Sequence, residues 1–198
     1  LRCQDWDQIP YDQVSPSKQT QIERLETLNS LINNQSKKII LTTVNSIIQK
    51  VIPNEIIKQN SLSLIVNQKI IFNDIINSLT LLGFQRTSVV REKSEFSVRG
   101  SIIDIFSTDR DLPIRLDFFD DKIESIHNFD PLTQKRISKI NDKIEFNISS
   151  ELLLNDKTIN LFRKNFREIF PKYRNSQIYN LFSEKSFPTG GEQYIPLF

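Results

Sequence analysis

The sequence of 198 residues is poor in the residues that build disulfide, zinc and phosphate-binding sites: it has one cysteine, one histidine and four glycines. A single cysteine, Cys3, excludes an internal disulfide framework and fits a reducing compartment. Structural zinc needs clustered cysteine and histidine, and Cys3 and His127 are distant from each other. No glycine precedes a Lys-Ser or Lys-Thr pair, which excludes a P-loop within this sequence.

Methionine and long apolar runs are also absent. Because the chain begins with Leu1 and has no methionine, we interpret it as a piece of a longer polypeptide. Its apolar runs are far too short to cross a bilayer, so we expect a soluble cytosolic protein without a membrane partner. The 26 basic and 24 acidic residues are interspersed, and no continuous basic stripe indicates binding to a nucleic-acid backbone.

Two small groups of polar residues could support chemistry. His127 and Asp130 could form a base and its orienting partner, but no motif holds a nucleophile near them, which favours a solvated turn histidine. The carboxylates between residues 117 and 124 could hold Mg²⁺ or Ca²⁺, but their spacing is that of a hairpin turn. We therefore predict no catalytic residue, no metal site and no cofactor in this segment.

Residues 1–60 show the order of elements of a layered α/β domain. Apolar residues at helical spacing predict a helix from about residue 16 to Asn33, ended by a loop at Asn33–Ser36. Lys38–Thr43 is short and almost entirely apolar, which is typical of a strand buried on both faces of a parallel sheet. Val44–Val51 is predicted to be a short helix. Helix, buried strand and helix together indicate a doubly wound α/β layer.

From about Ser61 the pattern changes to one helix followed by several short strands. Phe72–Leu82 is the helix, with Gly83 as its C-terminal stop, and the strands continue to Phe146. Helical spacing then returns. We predict three segments: residues 1–60 as the first part of an α/β domain, residues 61–146 as an inserted α+β domain, and residues 147–198 as the return to the α/β domain.

The stretch from Glu95 to Ile126 predicts strands with one buried face and one open face. Apolar residues alternate with polar ones from Ile114 to Phe119, the period of a half-buried strand. We interpret Gly100 as a bulge that turns Phe106 outward, and Asp120-Asp121 as a tight turn. The predicted open face carries Arg99, Phe106, Arg115, Asp117 and, less securely placed, Phe119. A structural alternative is that these charges form only cross-strand pairs.

Several motifs resemble one family. They are Asp5–Asp12 followed by Ser15-Pro16-Ser17, then Glu95–Gly100, and then Arg115–Asp121. Together they resemble, over essentially the whole chain, the N-terminal region of the bacterial transcription-repair coupling factors, Mfd. The last two segments are also similar to UvrB, the excision-repair helicase subunit.

The resemblance implies a fold, a function and partners. The expected fold is a degenerate, helicase-like (RecA-like) α/β domain without its ATPase motifs, interrupted by a small α+β domain that binds UvrA. The segment would be a non-catalytic recruitment module of nucleotide excision repair in the bacterial cytoplasm, near the nucleoid. ATP and Mg²⁺ would belong to the C-terminal motor of the parent DNA translocase, whose other partners would be RNA polymerase and double-stranded DNA.

The resemblance also implies a binding surface for UvrA. Carried over position by position, it comprises Arg86, Arg99, Phe106, Arg115 and Asp117. The chain departs from the pattern at residues 97, 107 and 191, where serine, serine and glycine stand. Two alternative functions are a fragment of UvrB itself and a direct DNA-binding module.

Overall fold

The computed structural model describes residues 1–9, 13–33 and 37–198, and within these ranges the chain has a mixed α/β fold. The strands are β1 (Arg2–Cys3), β2 (Leu41–Thr42), β3 (Ser61–Leu64), β4 (Gln85–Arg86), β5 (Glu95–Arg99), β6 (Ile102–Phe106), β7 (Ile114–Phe119), β8 (Lys122–Phe129), β9 (Arg136–Ile140) and β10 (Ile144–Asn147). The helices are α1 (Lys18–Asn33), α2 (Val44–Ile48), α3 (Asn54–Gln59), α4 (Phe72–Leu81), α5 (Asp156–Ile169) and α6 (Gln177–Ser183). The end of the Asp5–Asp12 motif and most of the loop predicted at Asn33–Ser36 lie outside the described residues.

Three sheets organise these elements. Strands β4 to β9 form a six-stranded sheet in sequence order, in which β4 and β5 are parallel and all later neighbours are antiparallel. β3 and β10 form an antiparallel pair, and β1 and β2 form a parallel pair. None of the helices in the described ranges is both long enough and apolar enough to cross a bilayer.

The main hydrophobic core lies on one face of the six-stranded sheet. Phe96, Ile103 and Leu116 point into it from β5, β6 and β7, and all three are fully buried. α4 covers them with Ile75 and Leu79, which are buried as completely. Full burial of one such aliphatic side chain stabilises the fold by roughly 1.5–3 kcal/mol, so this layer holds the strands in register.

A separate aromatic core joins α5, α6 and the last 3₁₀ segment, Gly191–Leu197. The Phe162 ring lies 5.2 Å from that of Phe166 and 4.9 Å from that of Phe182, measured between centroids. α5 begins with a capping box in which Asn155 and Thr158 each accept a hydrogen bond from the backbone N–H of the other. The helices predicted after Phe146 are thus confirmed.

The strand predicted at Lys38–Thr43 is confirmed only in part. β2 does pair in parallel with β1, but Ile39 and Leu41 are exposed rather than buried. The reason is that β1 is the only partner of β2 among the described residues, so no layer covers its apolar side chains. The expectation of burial on both faces was therefore wrong.

The bulge predicted at Gly100 is a hairpin turn instead. Arg99 pairs with Ile102, so Gly100 and Ser101 are the two turn residues between β5 and β6. Gly100 has φ +59, a conformation that favours glycine because it carries no Cβ. The irregularities of register in this sheet lie in β7 and β8.

Residues 61–148, hereafter the sheet module, connect to the rest of the chain at neighbouring points. Ser61 pairs with Asn147 across the β3–β10 ladder. Gly83, at the end of α4, has φ +86 and approaches the Ser150 backbone so closely that a Cβ on it would lie 2.6 Å from the Ser150 Cβ. The domain boundaries predicted near residues 60 and 146 stay predictions.

A buried arginine joins the flanking layer, which we define as the described parts of residues 1–60 and 149–198. Arg24 of α1 is fully buried and donates to the two carboxylate oxygens of Glu151 at 2.7 and 3.2 Å. Its guanidinium lies over the Trp6 ring, 4.2 Å from the centroid, and also donates to the Gln4 carbonyl and to the Gln49 side chain. One side chain thus links four segments of the flanking layer.

Candidate partner-binding site

Polar residues of four neighbouring strands share the sheet face opposite the main core. The register pairs Asp104 with Arg115, Arg115 with His127, and Asp117 with Ser125. Directly paired residues lie on the same face of a sheet, so these side chains form one surface, which we call the charged face. Its members are Ser97, Arg99, Asp104, Arg115, Asp117, Ser125 and His127. The prediction that Arg99, Arg115 and Asp117 share a face is confirmed.

Asp104 is the centre of the charged face. Arg115 donates from Nε to Asp104 Oδ1 at 2.7 Å and from Nη2 to Oδ2 at 2.9 Å, a bidentate pair. Arg99 donates from Nη2 to the same Oδ2 at 2.7 Å. The Asp104 side chain is fully buried, that of Arg115 is 9% exposed and that of Arg99 is 44% exposed. A buried carboxylate therefore holds one internal and one surface guanidinium.

The other side of Arg115 is covered by a turn. Its Nη1 donates to the Gln134 carbonyl at 3.0 Å, and its guanidinium lies 4.5 Å from the centroid of the Phe129 ring. Asp130 builds the turn by accepting from two backbone N–H groups, which lowers the pKa of its carboxyl group. The hydrogen bonds to Asp104 are the main cause of a raised pKa for Arg115, which stays charged. Arg115 is thus fully engaged inside the protein.

A second, smaller group lies around Asp117. Arg136 of β9 donates to Asp117 Oδ1 at 2.7 Å, and the Ser125 hydroxyl donates to Oδ2 at 2.6 Å. His127 Nδ1 lies 3.4 Å from the same Oδ2. Half of the Arg136 side chain is exposed, whereas little of Asp117 is. The arrangement repeats that of Asp104: a covered carboxylate holds an arginine at the surface.

The predicted exposure of the face was wrong for three residues. Arg115 and Asp117 are buried, and Phe106 is packed with Val90 and Phe129 instead of pointing to solvent. The physical reason is that the segments around Val90 and Gln134 fold over the face: Gln134 Nε2 donates to the Val90 carbonyl at 3.1 Å. A strand pattern carries no information about such covering loops.

The remaining two predicted residues are exposed. Arg99 lies at the rim of the charged face, and Arg86 lies on β4, the edge strand, rather than in a loop. Whether any of the five predicted residues contacts UvrA stays a prediction.

Sequence reasoning missed three residues of this site, Asp104, Arg136 and Gln134. Asp104 follows from the same strand alternation as Arg115, its partner in the register. Arg136 reaches Asp117 only because a register shift between Asn128 and Phe129 turns it to this face, and alternation alone would place it on the core face with Ile140. Gln134 has φ +62 and holds the covering turn against Arg115, and its sequence context provides no signal for that role.

A cleft of about 540 Å³ between the sheet module and the flanking layer is a weaker candidate. Lys18, Lys93 and Lys185 line it, but each forms a salt bridge with a carboxylate of the chain itself. Burial raises the pKa of Glu192, which also lines the cleft. Because its charges are of both signs and largely paired, the cleft does not select a ligand of one charge.

Comparison with known proteins identifies the module and the chain. Residues 62–148 match the family model of the UvrB interaction domain. The chain is 33% identical over 196 residues to the transcription-repair-coupling factor of Haemophilus influenzae. That alignment covers 98% of this chain and 17% of the relative. It is 31% identical over 199 residues to the one of Escherichia coli K12, covering 100% of the chain and 17% of the relative. It is 34% identical over 199 residues to the one of Rickettsia typhi, and that alignment covers 98% of the chain and 17% of the relative. Over nearly its whole length, the chain is therefore similar to one part of the transcription-repair-coupling factors.

This similarity confirms the resemblance inferred from the motifs at Asp5–Asp12, Glu95–Gly100 and Arg115–Asp121. Every residue of the charged face lies inside the matched UvrB interaction domain. The chain spans 17% of the length of the curated coupling factors it matches, so the activity and partners of a whole coupling factor are proposals for this chain.

Proposed function

We propose that this segment of a transcription-repair-coupling factor recruits UvrA, the first subunit of nucleotide excision repair, to stalled transcription complexes. The observation that carries the proposal is the pair of surface arginines, Arg99 and Arg136, held by covered carboxylates inside the matched UvrB interaction domain. In this proposal the contact surface is the exposed rim of the charged face, where Arg99 and Arg136 lie.

The geometry suits recognition of a partner carboxylate. Arg99 uses one nitrogen for Asp104, and its remaining N–H groups are directed to no other described residue. A guanidinium offers a rigid fork of donors that matches a carboxylate, and a fork already fixed in place loses little entropy on binding. Such pairs set specificity and association rate more than raw affinity.

Arg115 has a supporting role in this proposal. Its two hydrogen bonds to Asp104 fix the buried carboxylate in position, so that Arg99 has a stable anchor. Arg115 thus acts through Asp104 on Arg99 and does not itself touch the partner. The same reasoning assigns Asp117 to the positioning of Arg136.

The rest of the proposal concerns the whole coupling factor. The flanking layer would be a degenerate helicase-like α/β domain that orients the sheet module and performs no catalysis. ATP and Mg²⁺ would bind a motor elsewhere in the polypeptide, which would act in the bacterial cytoplasm on RNA polymerase and double-stranded DNA. These assignments are supported by the similarity of the chain to the transcription-repair-coupling factors.

Titration calorimetry of the 198-residue chain against purified UvrA tests the proposal. We expect Arg99→Ala to weaken binding by more than about 1 kcal/mol, roughly fivefold, because an interfacial arginine is lost. Thermal unfolding should change little, since the Arg99 side chain is half-exposed. Arg174→Ala, an exposed arginine of the flanking layer, is the matched control and should bind like the wild type. Undetectable binding by the wild type would overturn the proposal.

A further inference from the structure

One exposed phenylalanine distinguishes the rim of the charged face. Phe119, the last residue of β7, is 68% exposed. The other phenylalanines of the sheet module, all of whose residues are described, are buried or half-buried: Phe72, Phe84, Phe96, Phe106, Phe118, Phe129 and Phe146. Its neighbour Phe118 packs into the main core, so Phe119 points to the opposite face. An exposed aromatic ring at the edge of a polar surface is typical of an interface anchor.

Phe119 lies at the same end of the sheet as Arg99. Two tight turns, Gly100-Ser101 and Asp120-Asp121, form this end, and the Phe118 N–H donates to the Ser101 carbonyl at 2.9 Å between them. We call it the hairpin end. Arg99 pairs with Ile102 and Ile102 with Asp117, which lies two residues before Phe119 on the same face. From strand spacing and rise, the Cα atoms of Arg99 and Phe119 are roughly 12 Å apart.

The charges of the hairpin end are mixed in sign. Arg99 and Lys122 supply positive charge, whereas Asp120, Asp121 and Glu124 supply negative charge. A nucleic-acid backbone presents only negative charge and would be repelled by the three carboxylates. A protein surface can present groups of both signs around an apolar pocket, and both aromatic residues and arginine are enriched at protein interfaces.

We infer that Phe119 is the apolar anchor of the partner-binding surface, and that it inserts into an apolar pocket of UvrA bordered by a carboxylate opposite Arg99. The inference rests on the proposed function and sharpens it. The contact surface is then centred on the hairpin end, where an aromatic ring is accessible, and not on Phe106, which Val90 and Phe129 cover.

Binding of UvrA to Phe119→Ala tests the inference. A few central side chains carry most of the binding energy of an interface, so we expect loss of the anchor ring to lower affinity at least about tenfold. Leu132→Ala is the matched control, because Leu132 is 86% exposed at the opposite end of the same sheet. It should bind UvrA as the wild type does. The unfolding midpoints of both variants should match that of the wild type, since neither side chain packs in a core.

The outcomes separate this inference from the proposed function. If the wild type binds and Arg99→Ala weakens binding but Phe119→Ala does not, the anchor is wrong and recruitment of UvrA stands. If Leu132→Ala weakens binding as much as Phe119→Ala, the effect does not belong to the hairpin end and the inference is overturned. If the wild type does not bind UvrA, both fail. A tenfold loss confined to Phe119→Ala supports the anchor.

Discussion

The chain uses the same chemical unit twice, once in the flanking layer and once in the sheet module. Arg24 with Glu151 and Arg115 with Asp104 are both bidentate pairs with a shortest N···O distance of 2.7 Å. Both guanidiniums lie over an aromatic ring, at 4.2 Å from Trp6 and 4.5 Å from Phe129.

The two pairs differ in what they connect. Arg24 and Glu151 are 127 residues apart in sequence, and the further hydrogen bonds of Arg24 stay inside the flanking layer. Arg115 and Asp104 are 11 residues apart on adjacent strands, and Asp104 is shared with the half-exposed Arg99. The first pair connects segments that are distant in sequence, whereas the second fixes the position of Arg99 at the surface. Mutation of each pair should therefore affect different measurements.

The largest effect is expected for Arg24→Ala. Removing one partner of a buried ion pair leaves Glu151 as an uncompensated buried charge, which costs about 3–5 kcal/mol of unfolding free energy. Urea unfolding at pH 7 measures this loss. The double variant Arg24→Met with Glu151→Leu should recover most of it, because no buried charge remains. A single-variant loss below about 1 kcal/mol would contradict this role of the buried pair.

Arg115→Ala is expected to have an intermediate effect on stability and a clear effect on binding. Asp104 keeps Arg99 as a partner, so we expect a loss of about 2 kcal/mol, smaller than for Arg24. UvrA affinity should fall as well, because Arg99 loses its fixed anchor. Parallel unfolding and calorimetry distinguish this variant from Arg99→Ala, which should lose affinity alone. Full stability with weakened binding would instead mean that Arg115 contacts the partner directly.

Glu192→Gln should have a smaller effect and the opposite sign. Glu192 is a buried carboxylate of the flanking layer that receives a hydrogen bond from Ser15 and no arginine, and burial raises its pKa above 4.5. The folded state then holds the proton more tightly than the unfolded chain does. Its contribution to stability is therefore present below the unfolded pKa and is lost as pH rises through the raised folded pKa.

The variant removes this pH dependence. Glutamine stays neutral and can still accept from Ser15, so Glu192→Gln should be more stable than the wild type at pH 7 and equal to it near pH 4. Unfolding midpoints at these two pH values provide the measurement. A variant that is less stable than the wild type at pH 7 would show that the Glu192 charge is compensated in the folded state.

The smallest effect is expected for Lys18→Ala. Lys18, whose side chain is 51% exposed, links the two regions through an exposed salt bridge to Glu92 and a longer one, 3.5 Å, to the buried Glu95. Exposed pairs contribute at most about 1 kcal/mol and are screened by salt. The difference in unfolding free energy from the wild type should shrink between 0.05 and 0.5 M NaCl. A loss of unfolding free energy as large as that of Arg115→Ala would mean that surface and buried ion pairs contribute equally to stability in this protein.

Local pattern predicted much of the sheet module. The alternation from Ile114 to Phe119 placed the apolar residues in the core and Arg115 with Asp117 on the other face, and Asp120-Asp121 is the turn that short acidic side chains favour. Helix α4, from Phe72 to Leu81, follows from its apolar spacing. These features depend on neighbours within a few residues, which is why a sequence reveals them.

Long-range contacts account for the errors. Phe106 was predicted to face solvent because the residues of its own strand do not indicate that Val90 and Phe129 pack over it. Arg24 has no distinguishing neighbour in α1, and its importance depends on a carboxylate 127 residues away. The exposure of Leu41 depends on how many strands join β2, which is also a non-local property.

The pairing of Ser61 with Asn147 has a consequence for how this module could spread among proteins. Because the two ends of the sheet module lie side by side, the module can be inserted into a single surface loop of another protein, whose own chain then continues from almost the same point. The main core of the sheet module also contains Leu25, Leu28, Ile52 and Ile57 of the flanking layer, so a recipient must supply an apolar surface against which the module packs.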